Sequence, residues 1–236
     1  MTAAADDLVA AVVGTRPFTQ AQRRDGTALP DYLDGHRILG DPAALARIAS
    51  DIVRTLPADV DHVAGEVAAG AALAAAVCQS AFGQGRLLAV RMLRPEPKKY
   101  GVTGVLNTPA AQGSRFAPVD DVAGTGASLV RSVLRLRALA HQVLGAWVVV
   151  DRGDGAGERL EALGVPLRCL LTLDDLRPTA SGWPRKHNSC ATCRTCCPPT
   201  PTPAEVCCVP EPSPAPWWGA ISSPDAARPP ATVRCG

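Results

Sequence analysis

The stretch Phe116-Ala-Pro-Val-Asp-Asp-Val-Ala-Gly-Thr-Gly-Ala-Ser128 decides the fold of this chain. Its apolar start is typical of a buried strand, which brings the adjacent carboxylates Asp120 and Asp121 to the carboxyl edge of a sheet. The glycines that follow allow a tight turn, and a helix begins at once. Backbone N–H groups, the helix dipole and the hydroxyls of Thr125 and Ser128 then form an anion site. Two carboxylates beside a phosphate cradle suit a sugar phosphate; the alternative is a plain strand–helix turn with solvated aspartates.

Strands and helices alternate on both sides of this stretch. Further apolar runs typical of strands lie at residues 62–65, 87–93, 147–150 and 165–173. Segments with helical periodicity separate them, and the clearest one begins at Asp41-Pro42, an N-cap residue followed by a first-turn proline. The alternation predicts an α/β fold with a parallel sheet flanked by helices. Residues 94–114 show no period and are predicted to form a long mobile loop.

The composition of the 236-residue chain changes after Arg177. Residues 1–177 hold 19 basic and 19 acidic residues, whereas residues 178–236 carry 13 of the 22 prolines and seven of the nine cysteines. Frequent prolines remove backbone donors, so we predict a globular domain over 1–177 and a disordered low-complexity tail over 178–236. The spacing Cys190-x2-Cys193-x2-Cys196 can bind zinc, but few apolar residues flank it, and the low-complexity interpretation is preferred.

Charge and composition also argue against several classes of protein. A neutral domain disfavours nucleic acid as a partner, since phosphate backbones are bound by clustered basic residues. The N-terminus has no basic residue before its apolar run, unlike a secretory signal, and the longest apolar stretch, Val67 to Cys78, is too short to span a membrane. Two cysteines before residue 178 suit a reducing compartment, so a cytoplasmic location is expected.

Several polar residues receive an ordinary structural interpretation. The four histidines show no metal-ligand spacing and are expected to be surface residues or satisfied structural ones: His36, His62, His141 and His187. The basic run Arg131, Arg135 and Arg137 is interpreted as a solvated helix face. No metal ligands are predicted from spacing in the domain.

The segment VDDVAGTGAS, residues 119–128, resembles the phosphoribosyl-pyrophosphate signature of type I phosphoribosyltransferases. Four further segments resemble the orotate branch of that family. They are its hood segment Asp31-Tyr-Leu-Asp34, its catalytic loop Arg94-Pro-Glu-Pro-Lys-Lys-Tyr-Gly101, the strand end Val149-Val-Asp-Arg152, and the closing strand and turn Leu170–Leu176. The likeness covers about residues 5–177, and the order of these segments is more specific than any single motif.

The resemblance implies an enzyme that converts orotate and phosphoribosyl pyrophosphate, with Mg²⁺, into orotidine monophosphate and pyrophosphate in pyrimidine synthesis. It further implies a small N-terminal hood over the site and a homodimer in which the loop acts across the interface. Two alternatives stay open: a related transferase acting on another base, and a non-catalytic regulator that binds phosphoribosyl pyrophosphate.

The resemblance also assigns residues to the sugar phosphate. Asp120 and Asp121 would hold the ribose hydroxyls and a Mg²⁺-bound ligand. Four consecutive residues would cradle the 5-phosphate: Thr125, Gly126, Ala127 and Ser128. Lys98 and Arg94 would reach the pyrophosphate.

At the base, the resemblance implies that Arg152 meets the orotate carboxylate. Arg24 and the backbone of Tyr32 and Leu33 would lie near the pyrimidine. Tyr100 would belong to the catalytic loop, at a position where a histidine is common.

The chain departs from the family pattern at several positions. Pro95 follows the loop arginine where many members carry a basic residue, and Ala68-Ala69 occupies the pyrophosphate turn where many relatives have an aromatic residue or a lysine. Pro118 is expected to interrupt the strand before Asp120, because proline lacks a ladder donor. These departures bear on rate and substrate more than on fold.

Overall fold

The computed structural model describes residues 3–22, 26–98, 100 and 103–177. These residues belong to one compact unit, Met1–Lys186. Arg24 and the tail 178–236, which both carry predictions, lie outside the described residues. No helix in the described ranges is long and apolar enough to cross a membrane.

Helices and strands alternate along the described chain. The helices are α1 (Ala3–Gly14), α2 (Gly35–Gly40), α3 (Pro42–Thr55), α4 (Ala69–Gly83), α5 (Ala127–Ala138) and α6 (Ala156–Glu161). The strands are β1 (Phe18–Gln22), β2 (Ala28–Leu33), β3 (His62–Glu66), β4 (Ala89–Lys98), β5 (Gly104–Leu106), β6 (Arg115–Ala123), β7 (Gln142–Val143), β8 (Ala146–Asp151) and β9 (Leu167–Thr172). A short 3₁₀ turn, Asp174–Leu176, follows β9.

The larger sheet of the described residues has seven strands in the order β5-β4-β3-β6-β8-β9, with β7 beside the start of β6. Strand β3 runs parallel to β4 and β6, and β8 runs parallel to β6 and β9. Only β5 is antiparallel to its neighbour. The predicted parallel sheet is confirmed, and β6, which carries Asp120 and Asp121, lies at its centre.

Two apolar clusters cover the two faces of this sheet. On one face, α1, α3 and α4 bury side chains such as Ile52 and Leu73 against Val119 and Trp147. On the other face, α5 and α6 pack side chains such as Val133 against Val148 and Ala123. Complete burial of each such aliphatic side chain contributes roughly 1.5–3 kcal/mol. The helices therefore hold β6 rigidly from both sides.

The start of α3 is as the sequence predicts. Asp41 is the N-cap, and its side chain accepts a hydrogen bond of 2.8 Å from the backbone N–H of Ala44. Pro42 occupies the first helical turn, where a backbone N–H would have no acceptor within the helix, so its absence costs no hydrogen bond.

The N-terminal hood is a separate two-stranded hairpin. Strands β1 and β2 pair antiparallel, with Phe18 opposite Leu33 and Thr19 opposite Tyr32. Helix α2 follows directly and leads the chain back to the main sheet. This arrangement carries the predicted hood segment, residues 31–34, to the candidate site described below.

The predicted long loop over residues 94–114 is wrong in its first part. Strand β4 continues to Lys98, and β5 returns beside it, with Leu93 opposite Leu106 and Lys98 opposite Gly104. We call residues 93–106 the β4–β5 arm. The arm is a local antiparallel hairpin, and its content of proline, lysine and glycine, which is typical of a loop, does not reveal the pairing.

Pro118 does not interrupt β6, contrary to expectation. The strand runs unbroken from Arg115 to Ala123. Pro118 is the last β6 residue paired with β3, and Val119 is the first paired with β8. The missing N–H therefore falls where the strand changes neighbours, and little of the ladder is lost.

Candidate active site

Asp120 and Asp121 lie inside β6 and serve opposite faces of the sheet, because side chains alternate along a strand. On the α5 side, Asp120 Oδ2 accepts a hydrogen bond of 2.6 Å from the Ser128 hydroxyl. On the hood side, the Asp121 carboxylate lies against Gly35, where a Cβ would approach Asp121 Oδ2 to 1.8 Å. The sequence predicts both carboxylates at the edge of the sheet, and the structure shows that they contact different elements, α5 for Asp120 and α2 for Asp121.

The environment of Asp120 is unusual for a carboxyl group. Burial raises its pKa to about 7, and the negative charge of Asp121 acts in the same direction, against the hydrogen bond from Ser128. Its Oδ1 accepts a hydrogen bond of 3.1 Å from the Asp121 N–H. A buried carboxylate with few donors favours a ligand that brings hydroxyl donors or a cation.

The turn that the sequence predicts to hold a phosphate lies between β6 and α5. Gly126 has φ +72°, and a Cβ there would approach Ala156 to 3.0 Å, so only glycine fits this turn. Helix α5 begins at Ala127, and its first N–H groups have no acceptor within the helix. Thr125 and Ala127 are exposed beside them. The turn therefore presents donors in the way an anion requires.

Ser128 differs in part from its expected role. Its hydroxyl donates to Asp120, so its proton is not directed into the turn. Its backbone N–H remains in the first turn of α5. Ser128 thus links the carboxylate to the cradle.

One cavity of about 330 Å³ joins these elements. Of the predicted site residues, six line it: Tyr32, Leu33, Asp120, Asp121, Ser128 and Arg152. Gly35 and His36 of the hood complete one wall. The sequence gives no sign that His36 belongs to the site, because only the folded structure brings the residue after Gly35 to the wall of this cavity.

A larger groove of about 640 Å³ lies between α5 and α6 and is mostly apolar.

Arg152 lies at the end of β8, on the side of the cavity that faces the turn. Its backbone N–H donates to the Ala123 carbonyl at 2.8 Å, which fixes its position beside β6. Its guanidinium pairs with Asp154 at 3.1 Å, and both side chains are partly exposed. Such an exposed pair contributes about 0–1 kcal/mol, so a ligand carboxylate can compete with Asp154.

The turn after β3 forms another wall of the cavity. Ala68 and Ala69 line it, and the peptide bond between Val67 and Ala68 is cis. A Cβ at Gly65 would approach the Gly70 carbonyl oxygen to 1.9 Å, so this turn also requires glycine. The turn offers backbone groups and small side chains in place of the lysine or aromatic residue of many relatives.

The interpretation of the basic run as a solvated helix face is wrong for Arg135, which is partly buried, and incomplete for Arg131, which is exposed but bound to a carboxylate. Arg131 donates to both carboxylate oxygens of Glu66, at 2.9 and 2.5 Å. Arg135 lies 3.6 Å from the same carboxylate. Their spacing of four residues places both on one face of α5. Glu66, 65 residues away from Arg131, gives no local signal of the contact.

The structure does not bring every predicted residue into the cavity. Arg94 donates to the carbonyls of Gly104 and Leu106 at 2.9 and 2.8 Å, so it holds the β4–β5 arm together. Tyr100 is exposed. The Lys98 side chain and Arg24 lie outside the described residues.

Two histidines also depart from expectation. The rings of His62 and His141 both lie against the ring of Phe116, with centroids 4.7 Å apart in each pair; His62 is stacked on it and His141 is tilted. Within the described part of the chain their Nδ1 atoms are buried without a hydrogen-bond partner, so they are not satisfied. Burial lowers the pKa of both side chains, which keeps them neutral.

A parallel sheet, a hooded cavity, paired carboxylates and a phosphate turn define a phosphoribosyltransferase with the type I fold. The orotate phosphoribosyltransferase of Methanothermobacter thermautotrophicus is 33% identical over 144 residues, which cover 61% of this chain and 77% of that protein. The orotate phosphoribosyltransferase of Streptomyces avermitilis is 34% identical over 148 residues, covering 61% and 81%. The chain belongs to the orotate phosphoribosyltransferase family.

The solved structures agree with this family. The Mycobacterium tuberculosis orotate phosphoribosyltransferase, in complex with inorganic phosphate, is similar with a TM-score of 0.62 and 26% identity, covering 74% of this chain and 99% of that one. No family model matches the chain.

Proposed function

We propose that this protein transfers the phosphoribosyl group of phosphoribosyl pyrophosphate to orotate, giving orotidine monophosphate and pyrophosphate in pyrimidine synthesis. The observation that carries the proposal is the single cavity in which Asp120, Asp121, the start of α5 and Arg152 meet. It offers acceptors for a sugar, donors for a phosphate and a cation for a carboxylate, within about 330 Å³.

The sugar phosphate is proposed to lie along β6 and the turn that follows it. The N–H groups of Gly126, Ala127 and Ser128, with the Thr125 hydroxyl, hold the 5-phosphate, since a helix N-terminus favours an anion. Asp120 and Asp121 accept hydrogen bonds from the ribose hydroxyls. The M. tuberculosis relative was crystallised in complex with inorganic phosphate, which agrees with a phosphate ligand for a protein of this fold.

The base is proposed to lie between the hood and Arg152. A guanidinium pairs with a carboxylate through two parallel hydrogen bonds, so Arg152 exchanges Asp154 for the orotate carboxylate. Backbone groups of Tyr32 and Leu33 face the ring, and Arg24, outside the described residues, is proposed to take part in binding it.

The reaction forms a bond between orotate N1 and C1 of the ribose and breaks the bond from C1 to the pyrophosphate oxygen. The electron pair of the broken bond leaves with the pyrophosphate, which also takes up the proton released from N1. Positive charge develops on the sugar as the pyrophosphate leaves. Asp120 and Asp121 stabilise that charge in a partly desolvated cavity, where electrostatic interactions are strong. Lys98 is proposed to neutralise the leaving group, while Arg94 keeps the arm that carries it in place.

The carboxylates fit Mg²⁺, which prefers oxygen ligands and is commonly bound through one or two carboxylates together with substrate phosphates. Asp120, with its raised pKa, gains a countercharge from such an ion. Asp120 and Asp121 would bind a Mg²⁺-bound ligand, and the ion would offset the charge of the pyrophosphate.

The protein is proposed to act as a homodimer in the cytoplasm. Phe82 and Leu87, at and just beyond the end of α4, are 65% and 81% exposed, which suits an interface between copies. Cys78 and Cys169 are free thiols, as a reducing compartment allows.

The activity is tested by pyrophosphate release from purified full-length protein with phosphoribosyl pyrophosphate, Mg²⁺ and one base at a time. We expect release with orotate but not with uracil, adenine or hypoxanthine. The matched control is Asp121→Asn, which should be inactive with every base. Release with a purine alone, or binding of the donor without turnover of any base, contradicts the proposal.

A further inference from the structure

Arg135 of α5 contacts two segments that the proposed function places around the pyrophosphate. Its Nη1 donates to the Arg94 carbonyl at 2.7 Å, and its Nη2 donates to the Pro95 carbonyl at 2.6 Å. Nη1 also lies 3.6 Å from Oε1 of Glu66, the last residue of β3, which leads into the pyrophosphate turn. The side chain is only 25% exposed. One guanidinium therefore connects the helix of the phosphate cradle with the β4–β5 arm and the pyrophosphate turn.

Glu66 orients this guanidinium. Its side chain is only 12% exposed, and a buried carboxylate without partners is costly. Arg131 binds both of its oxygens and Arg135 lies beside one of them, so the carboxylate carries more than one countercharge. The same arrangement keeps the negative charge of Glu66 from repelling a phosphate ligand.

The arm needs an anchor at the point where Arg135 binds it. The pairing of β4 with β5 is irregular between Leu93 and Lys98, where the register shifts. Pro95 and Pro97 lie in this interval, and neither has an N–H for the ladder. The base of the arm therefore depends on side chains, with Arg94 binding β5 and Arg135 binding α5.

We propose that Arg135 is a positioning residue that fixes the Arg94–Pro95 base of the β4–β5 arm against α5, and so sets how Lys98 is presented to the leaving pyrophosphate. The proposal rests on the proposed function for the role of the arm. An arginine suits this position because its planar group donates to two neighbouring carbonyls at once, whereas a lysine ammonium is a single compact donor.

The test compares Arg135→Met, Arg135→Lys and the control Arg137→Met, an exposed arginine on the same helix. We expect Arg135→Met to lower kcat about tenfold while the KM for orotate stays within about twofold, because the arm acts on the leaving group and not on the base. Arg135→Lys should recover part of kcat. Arg137→Met should match the parent protein.

A second readout does not depend on activity. Trypsin cleavage after Lys98 or Lys99 in the free protein, followed by mass spectrometry, should be about fivefold faster in Arg135→Met than in Arg137→Met, because local opening of the arm exposes the chain. Equal cleavage and equal kcat in the two variants overturn the proposal. It is also overturned if Arg135→Met raises the KM of both substrates alike and lowers Tm without recovery in Arg135→Lys. A parent protein that does not use orotate contradicts the proposed function instead, and the cleavage comparison still decides whether Arg135 holds the arm.

Discussion

The carboxylate of Asp121 lies directly against the backbone of Gly35, so that a Cβ at position 35 would approach Asp121 Oδ2 to 1.8 Å. This contact joins the start of α2 to the central strand β6, and both residues line the cavity proposed to bind the ribose. The glycine is required by the close approach alone, since its backbone conformation is helical. Gly35 thus determines where the Asp121 carboxylate lies, although Asp121 is 86 residues further along the chain.

Gly35→Ala should lower activity by displacing Asp121. We expect kcat/KM for phosphoribosyl pyrophosphate to fall about tenfold or more, with the far-ultraviolet circular dichroism unchanged. The control is Gly40→Ala at the end of the same helix, where a Cβ would meet nothing within 4 Å. Equal kinetic constants for the two variants would show that the start of α2 shifts enough to accommodate the added methyl group without displacing Asp121.

Asp120→Asn should stabilise the free protein while removing activity. The pKa of Asp120 is raised from 3.8 to about 7, so folding loses stability as pH rises from the lower value towards the upper one. The asparagine amide of the variant does not ionise, so it does not lose this folding stability as the pH rises. We therefore expect its Tm advantage over the parent to grow from pH 4 to pH 7, to about 5 °C, and to stay level above pH 7. The measurement is thermal unfolding without ligand, with the exposed Asp174→Asn as control.

The same substitution should lower kcat/KM by about 100-fold or more, as should Asp121→Asn, which corresponds to roughly 3 kcal/mol of transition-state stabilisation. Steady-state kinetics within about threefold of the parent for both variants would remove these carboxylates from the reaction. The opposite effects expected of Asp120→Asn on stability and activity distinguish a functional carboxylate from a structural one.

Arg152→Ala should raise the KM for orotate more than the KM for the phosphoribosyl donor. The guanidinium binds a carboxylate in two parallel hydrogen bonds, and the phosphoribosyl donor has no carboxylate. Asp154→Asn is the informative companion, because it frees Arg152 from its partner at 3.1 Å and should leave the KM for orotate unchanged or lower. Equal effects of Arg152→Ala on both substrates would indicate a structural role.

The β4–β5 arm should act between subunits if the protein is the proposed homodimer. Mixing inactive Lys98→Ala protein with inactive Asp121→Asn protein should restore activity, because one site of each hybrid dimer keeps both groups. Native mass spectrometry confirms exchange of subunits, and each variant alone is the control. No restored activity after confirmed exchange would mean that the arm serves its own subunit.

Residues 178–236 should be dispensable for the reaction. The residues that line the cavity, and β9, the last strand of the described residues, all precede Arg177. A chain ending at Arg177 should therefore keep the Tm and the orotate kinetics of the full-length protein. It should also aggregate less under oxidising conditions, because seven cysteines are removed. A large fall in Tm on truncation, or on adding a chelator to the full-length chain, would show that these residues stabilise the domain or bind a metal.

The amino-acid sequence by itself determined the α/β class, the start of α3 at Asp41-Pro42, and the turn from Asp120 to Ser128. These features follow from local signals: apolar runs, a helix cap, and glycines between carboxylates and a helix. The order of the hood, arm and turn segments along the chain also indicated the family. Apart from the order of the segments, each of these signals lies within a short run of consecutive residues.

Only the tertiary structure decided which groups meet. Glu66 with Arg131, Asp121 with Gly35, and Arg94 with the β5 carbonyls are contacts between separate elements. Periodicity reports which face of an element is apolar, but it does not report which distant partner a polar side chain finds there. For that reason the periodicity predicts a loop for the β4–β5 arm and a solvated helix face for Arg131 and Arg135. The raised pKa of Asp120 has the same origin, because burial is a property of the packed sheet and not of the residue.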